Sequence, residues 1–436
     1  MSSRQNLEIV PANHTSTGLI SYKSGNPVIQ FIIGEQDRLL VGSSVRFVGE
    51  FQAFFNATED VSLNASGLRM DEALGVYSVI DQLTIKSQAT HQVIEEIKHY
   101  PRFLASYLPA TSTLNDSAGH MSETALTTPA YQSHKFGVVD LPSMKTTANR
   151  FAVTLPSGLF NGQNPIPLAA NGDGGLGGLL VEISLAPDSN VFFDESGSST
   201  PVQEAFYQLK NVKLVAEAIT PDPRQGFPKM NAFEYNSISS YFTTFNSTNA
   251  IVNFQLGLSR VLGVFGNMIT ANKINNRGEN GLSLNYPTNA GATQTPALIN
   301  QVIFTRAGER FPLEYNIDTI QKEDNTDYKA DPQIVRNYMN AILQFAKLNR
   351  TQVSPLNTKY SNGTATVVNT KIEGGSNAGI GVAYDVVSGD GVDFSAVNWG
   401  LNMDVGLTTD NPQALYLFIH SKQTVVFSEN GIQVIR

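Results

Sequence analysis

Thr220-Pro-Asp-Pro-Arg-Gln-Gly-Phe-Pro228 places three prolines and a glycine in one short stretch near the middle of a chain of 436 residues. Proline lacks a backbone donor and fixes φ, so neither a strand nor a helix runs through such a segment. The break divides the chain into halves of about 200 residues, an ordinary domain size.

Upstream of the break, Pro27 opens the apolar run Val28 to Ile33, and Val45, Phe47 and Phe51 alternate with Arg46, Glu50 and Gln52. Period two of this kind predicts half-buried strands. Further strands are predicted over Tyr77 to Ile85, at Phe151, Val153 and Leu155, from Leu179 to Leu185, and at Val212, Leu214 and Ala216. Between them, Ile94 and Ile97 lie three apart, and Pro101 can open a turn that brings Leu104 and Leu108 to the same side, which predicts a helical patch.

Downstream, the plan repeats. Val252, Phe254, Leu256 and Leu258 alternate with polar neighbours or glycine, as do Leu313, Tyr315 and Ile317. Asp331 can cap a helix, Pro332 suits its first turn, and Ile334, Val335, Tyr338, Met339, Ile342 and Leu343 form one apolar stripe. Strands return at Leu401 to Leu407 and at Leu415 to Ile419, and Asn430-Gly431 between apolar runs predicts a closing hairpin. Two rounds of strands, helix and strands predict an all-β protein: two tandem antiparallel eight-stranded jelly rolls, each with a short helix insertion. Residues 1–26, polar and turn-rich, read as an N-terminal arm, residues 27–222 as the first roll and 223–436 as the second. Thr270 to Pro296 and Thr351 to Ser395, rich in Gly, Asn, Thr and Ser, read as long surface insertions.

Composition narrows the function. Charged residues make up only 15% of the chain against roughly 25% in ordinary soluble domains, which suits a β-protein whose surface is partly hidden by neighbours. The net charge is -9 and no Lys/Arg block stands out, so direct nucleic-acid binding is not expected. With no cysteine there is neither a disulfide framework nor a thiolate metal site. The first residues lack an apolar signal core and no apolar run approaches a membrane span, so a soluble, intracellularly made protein is expected. Seven Asn-x-Ser/Thr sequons, at Asn13, Asn56, Asn64, Asn115, Asn246, Asn349 and Asn362, then read as products of an Asn-, Ser- and Thr-rich chain.

Candidate chemistry is thin. Gly172-Asp-Gly174-Gly-Leu-Gly177 matches a dinucleotide fingerprint in letters, but the residues that follow read as a strand and not as the required helix. His14, His91, His99, His120, His134 and His420 have no metalloprotease spacing. Glu95-Glu96 would diverge on a helix and read as a solvated face. Asp324, Asp327 and Asp331 lack the glycine and terminal Glu of a calcium loop and read as loop solvation. No catalytic, cofactor-binding or metal residue is assigned, and an enzyme is not expected.

Several stretches resemble one family. Gly75-Val-Tyr-Ser-Val-Ile-Asp-Gln-Leu-Thr-Ile85 with Gln92 to Ile97 and Tyr100, then Phe151 to Phe160, Ile166-Pro-Leu168, Leu180 to Ala186 and Tyr207 to Leu214, are similar to successive elements of the first roll in double jelly-roll major capsid proteins. These are the capsid proteins of virophages, polinton-like viruses and the adenovirus-type lineage. Phe311-Pro312, the Asp331-Pro332 helix and the ending from Pro412 to Ile435 resemble the second roll. The resemblance implies a homotrimeric, pseudo-hexameric capsomer of an icosahedral virion, made inside the host cell. It also implies neighbouring capsomers, minor capsid and penton proteins as partners and no cofactor; if the protein encloses a genome, the net charge of -9 places a basic protein or a membrane between them. The arm would run along the shell interior or to a neighbour. A carbohydrate-binding β-sandwich, using Trp399 and Tyr360 for stacking, is the alternative, and a jelly-roll hydrolase with paired carboxylates is a third reading.

Overall fold

The computed structural model describes residues 3–15, 18–54, 68–71, 74–111, 120–127, 149–194, 204–222, 229–271, 301–318, 332–347, 379–384, 389–405, 412–429 and 431–436, with positions 227, 274, 282, 367–368 and 371–372. The first half supplies eight main strands: β1 (Ser3–Ile9), β2 (Val28–Ile33), β3 (Leu39–Phe54), β4 (Ile80–Ser87), β5 (Val93–Ile97), β6 (Asn149–Thr154), β7 (Leu179–Leu185) and β8 (Phe206–Thr220). They pair antiparallel in two sheets, in the orders β1-β8-β3-β6 and β2-β7-β4-β5.

The second half repeats this with β9 (Ala232–Phe245), β10 (Asn249–Gln255), β11 (Val261–Thr270), β12 (Gln301–Arg306), β13 (Glu309–Arg310), β14 (Gly379–Ala383), β15 (Asn398–Asp404) and β16 (Gln413–Ser428). Its sheets are ordered β9-β16-β11-β14 and β10-β15-β12-β13. Numbered within each half, both therefore read 1-8-3-6 and 2-7-4-5, the strand order of a jelly roll. No strand pair among the described residues crosses from one half to the other. A terminal strand, β17 (Gly431–Ile435), folds back on β16 as the hairpin signal predicted.

Each roll carries its helix at the same point, between its fifth and sixth strands: α1 (Tyr100–Thr111) in the first and α3 (Pro332–Ala346) in the second. A single turn, α2 (Gly158–Asn161), follows β6 and is capped by Ser157, whose Oγ accepts from the Phe160 amide at 3.0 Å. Ile334, Tyr338, Ile342 and Phe345 of α3 are buried, as the apolar stripe requires.

Four expectations are corrected. Residues 1–26 are not simply an arm, because β1 is the first strand of the first roll and pairs with β8 of its own chain. Its sequence, SRQNLEI, is mostly exposed, so no apolar period marks it. Ile94 and Ile97 lie in strand β5 and not in a helix. The β-branched Val93, Ile94 and Ile97 favour a strand, and His91 and His99 bracket it with φ of 56° and 54°, which no helix continues. Leu313 and Tyr315 belong to a 3-10 turn in which the Tyr315 amide bonds the Pro312 carbonyl, since Pro312 has no donor to offer a ladder. The segment Thr351 to Ser395, read as an insertion, contains β14, an integral strand of the second roll.

The N-terminal stretch also contributes Ile20, which is buried and bridges Leu209 of β8. Deleting residues 1–26 should therefore lower the unfolding free energy by at least about 2 kcal/mol, from Ile20 burial alone. Denaturant titration measures this, and an unchanged midpoint would contradict the placement of β1.

Candidate functional site

The feature that organises this molecule is the joint between its two rolls. It begins with a close approach: a Cβ at Gly158 would lie 2.5 Å from the backbone of Asn236 and Ser237 on β9, so only glycine lets α2 sit on that strand. Glu95 of β5 reaches into this contact. Its carboxylate accepts the amides of Gly158 (2.8 Å) and Leu159 (3.0 Å) at the start of α2, and that of Ile238 (2.7 Å) on β9. One side chain from the first roll thus holds backbone from both. Tyr235 of β9 donates its hydroxyl to the Ile94 carbonyl at 2.8 Å, beside Gln423.

Further along, α1 lies against the second roll. Phe103 packs against Phe265 of β11, Phe345 of α3 and Phe418 of β16, with ring centroids 5.5 to 6.1 Å apart, and Tyr107 meets Phe345 at 5.1 Å. Polar groups frame the cluster. Asn267 donates to the Arg102 carbonyl at 3.2 Å, and Tyr338 to that of Ser106 at 2.9 Å. The Arg102 guanidinium is buried 5.1 Å over the Tyr416 ring, and burial lowers its pKa. The joint is continuous with the first roll's core: Phe265, Phe345, Tyr416 and Phe418 belong to that core, whereas Val264, Leu415, Leu417 and Ile419 belong to the second roll's own.

Two titratable groups sit in the joint. Burial raises the Glu95 carboxyl to about 6 against the pull of its three amides and Ser157. His420 is fully buried; its Nε2 donates to Asn236 Oδ1 at 2.9 Å, its Nδ1 has no partner among the described residues, and its ring stands edge-on to Phe345. Burial, aided by Lys422, lowers it to about 3.

The residues weighed for chemistry are dispersed or structural. The reading of Glu95 as solvated is overturned: on a strand it shares a face with Val93 and Ile97, and that alternation was the signal for a buried carboxylate. Glu96 is partly exposed near Lys98, at 3.5 Å. Gly172–Gly177 forms a turn leading into strand β7, with a 3-10 turn at Asn171–Asp173. His14 lies near the Val28 carbonyl at 3.0 Å, His91 occupies the turn between β4 and β5, and His99 contacts Tyr416 and Phe242. His120 is exposed at the start of a short helix whose Ala125 is buried. Trp399 is fully buried and donates to the Tyr384 hydroxyl at 2.7 Å, so it cannot stack on a sugar. His134, Asp324, Asp327, Asp331 and Tyr360 lie outside the described residues. Among the described residues no group of three or more His, Asp or Glu gathers to hold a metal, and no helix is long and apolar enough to cross a membrane.

No protein-family model and no curated protein sequence matches the chain. Solved structures do match, end to end. A chain of the Sputnik virophage, seen by cryo-EM, is 13% identical over 99% of this chain and 88% of its own, at a TM-score of 0.56. The Faustovirus major capsid protein is 10% identical over 98% and 91%, at 0.58. A chain of the PBCV-1 virus capsid is 11% identical over 100% and 96%, at 0.53. At these identities the likeness is one of fold, and it extends over both rolls.

The two buried groups have opposite pH dependence. Glu95 holds its proton to about pH 6 when folded but only to about 4.5 when unfolded, so its contribution to stability is full below 4.5 and lost as pH rises through 6. His420 contributes fully above its ordinary 6.5, and that contribution is lost progressively as pH falls toward 3. Glu95→Gln should therefore steepen the loss of stability on going from pH 7 to pH 5, and His420→Asn should flatten it, each by about 1–2 kcal/mol. Denaturant titrations at both pH values check this, and parallel curves for wild type and variants would refute it. Phe103→Ala should cost about 3–5 kcal/mol by opening the joint, and should separate the unfolding of the two rolls in calorimetry. A single unshifted transition would contradict that.

Proposed function

We propose that this chain is a viral major capsid protein, a structural block that self-assembles into an icosahedral shell and resides in the virion. The observation that carries the reading is the repeated strand order in two rolls locked into one body, matched over nearly the full length of capsid chains from both sides of each comparison. The capsomer we infer is a homotrimer. Two rolls per chain and three chains give a near-sixfold outline, and closed symmetry is the common route for homo-oligomers.

Composition supports the reading. A chain with 15% charged residues has little to repel its own copies, and side chains of the first roll hold the second through Glu95 and Phe103. A shell tile needs such a hold because flexing at each joint would blur the angles at which neighbours meet. Its partners would be itself, adjoining capsomers, and minor capsid and penton proteins. With net charge -9 the wall itself would not grip a genome; a basic protein or an internal membrane would stand between them. We divide the chain near residues 222 and 223, with each roll supplying one corner of the six-cornered block. The sugar-binding alternative loses its main residue with Trp399 inside the core.

Purified protein should sediment as a species of three chains, 3 × 47.3 = 141.9 kDa, and negative-stain micrographs should show six-cornered tiles or particles. A lone chain at every concentration would overturn the reading.

A further inference from the structure

The two rolls treat the same edge differently. In the first roll, the outer edge of β2 is covered by the chain's own N-terminal segment. Pro11 bridges Phe31, the Ala12 amide bonds the Gln30 carbonyl at 2.7 Å, and Asn13 both accepts from the Gln30 amide (2.9 Å) and donates to the Val28 carbonyl (2.7 Å). In the second roll the equivalent strand is β10, Asn249-Ala-Ile-Val-Asn-Phe-Gln255, and among the described residues it pairs with β15 alone.

The open side of β10 can be specified. The Val405 amide bonds the Thr248 carbonyl at 2.9 Å, and these two residues are opposite one another in the register that sets Asn249 against Asp404. Antiparallel ladders alternate, so Ala250, Val252 and Phe254 turn their amides and carbonyls to β15, while Asn249, Ile251, Asn253 and Gln255 turn theirs outward. Among the described residues the one partner of these outward groups is the Ser247 hydroxyl, which donates to the Asn249 carbonyl at 2.6 Å. Ile251, on the wet face of the strand, is 72% exposed, and among the described residues no strand or bridge lies along this edge.

Proteins ordinarily blunt such an edge with lysine, proline, a bulge or a covering segment. Among the described residues β10 has none of these: its sequence holds no charge and no proline, and its register with β15 runs without a shift. We propose that the open edge of β10 pairs with the same edge of a second copy of this chain, antiparallel about a local two-fold axis, so that the sheet β10-β15-β12-β13 continues from one molecule into the next. Setting Val252 on the axis puts Ile251 opposite Asn253 of the other copy, both with free backbone groups. The occupant is a second copy because the strand offers no charge for a charged partner to recognise, and because two molecules of net charge -9 can approach here without opposing like charges. The contact rests on the self-assembly reading and names one surface that serves it.

The chain has no cysteine, so Ile251→Cys creates a unique thiol. Treated with a short bismaleimide, the assembled variant should give a covalent two-chain product in high yield. Ile251→Lys, at a site 72% exposed, should keep the wild-type thermal midpoint within a few degrees yet weaken association at least about tenfold in sedimentation velocity. Wild type that assembles while I251C gives no two-chain product, or I251K that assembles as wild type does, would overturn the edge contact and leave the shell reading standing. Wild type that stays a lone chain, with no I251C product, would overturn both.

Discussion

The constraint on which this structure depends is that one sheet has no free face. β16 is buried continuously from Gln413 to Ser421. Leu415, Leu417 and Ile419 face the second roll's core, while Ala414, Tyr416 and Phe418 belong to the core shared with the first roll. A sheet apolar on both sides must be covered on both sides, since leaving one face wet would expose several large side chains at about 1.5–3 kcal/mol each. The second roll therefore completes its own burial only when the first, with α1, lies against it. The tandem arrangement is a packing requirement as well as a connection along the chain.

That requirement also explains which elements could be read from sequence. Strands with one wet face, such as β3 with its alternating burial, carry the period-two signature and were legible. The closing hairpin and α3 were legible for similarly local reasons, a turn dipeptide and a single stripe. β14 was not. Its sequence, GIGVA, looks like loop, yet a Cβ at Gly381 would come within 2.8 Å of Tyr338 Cα and 2.9 Å of Ala341 Cβ on α3. Glycine is there because the helix lies directly on the strand, a fact of tertiary contact that no local pattern encodes. β1 escaped for the opposite reason: an exposed edge strand has no apolar period to display.

Glu95 was misjudged through secondary structure, since a helix would have turned it to solvent whereas a strand turns it inward. Once inside, its oxygens accept from Ser157 and from three amides at the start of α2 and on β9, and a buried amide without a partner costs about 1–3 kcal/mol. The carboxylate supplies acceptors at a place where two pieces of backbone meet with no ladder between them. Burial and the amides act in opposite directions on its proton, and burial wins. His420 is destabilised by acid in the same region, so the joint contains two groups whose responses to pH oppose each other.

The surfaces follow from the same logic of coverage. A roll is a closed sandwich only across its faces; its edge strands still present unpaired backbone, and each edge must be covered, blunted or shared. The first roll covers β2 with residues 11–14, and sets β5 against β9 across the joint. The second roll has no preceding free segment to spend on β10, because the chain passes directly from β9 into β10 through the short link at residues 246–248. An uncharged, unprotected edge in a monomeric protein invites aggregation. Under the proposed self-assembly the same exposure becomes an ordered contact, provided that the geometry of the two-roll block limits it to one partner.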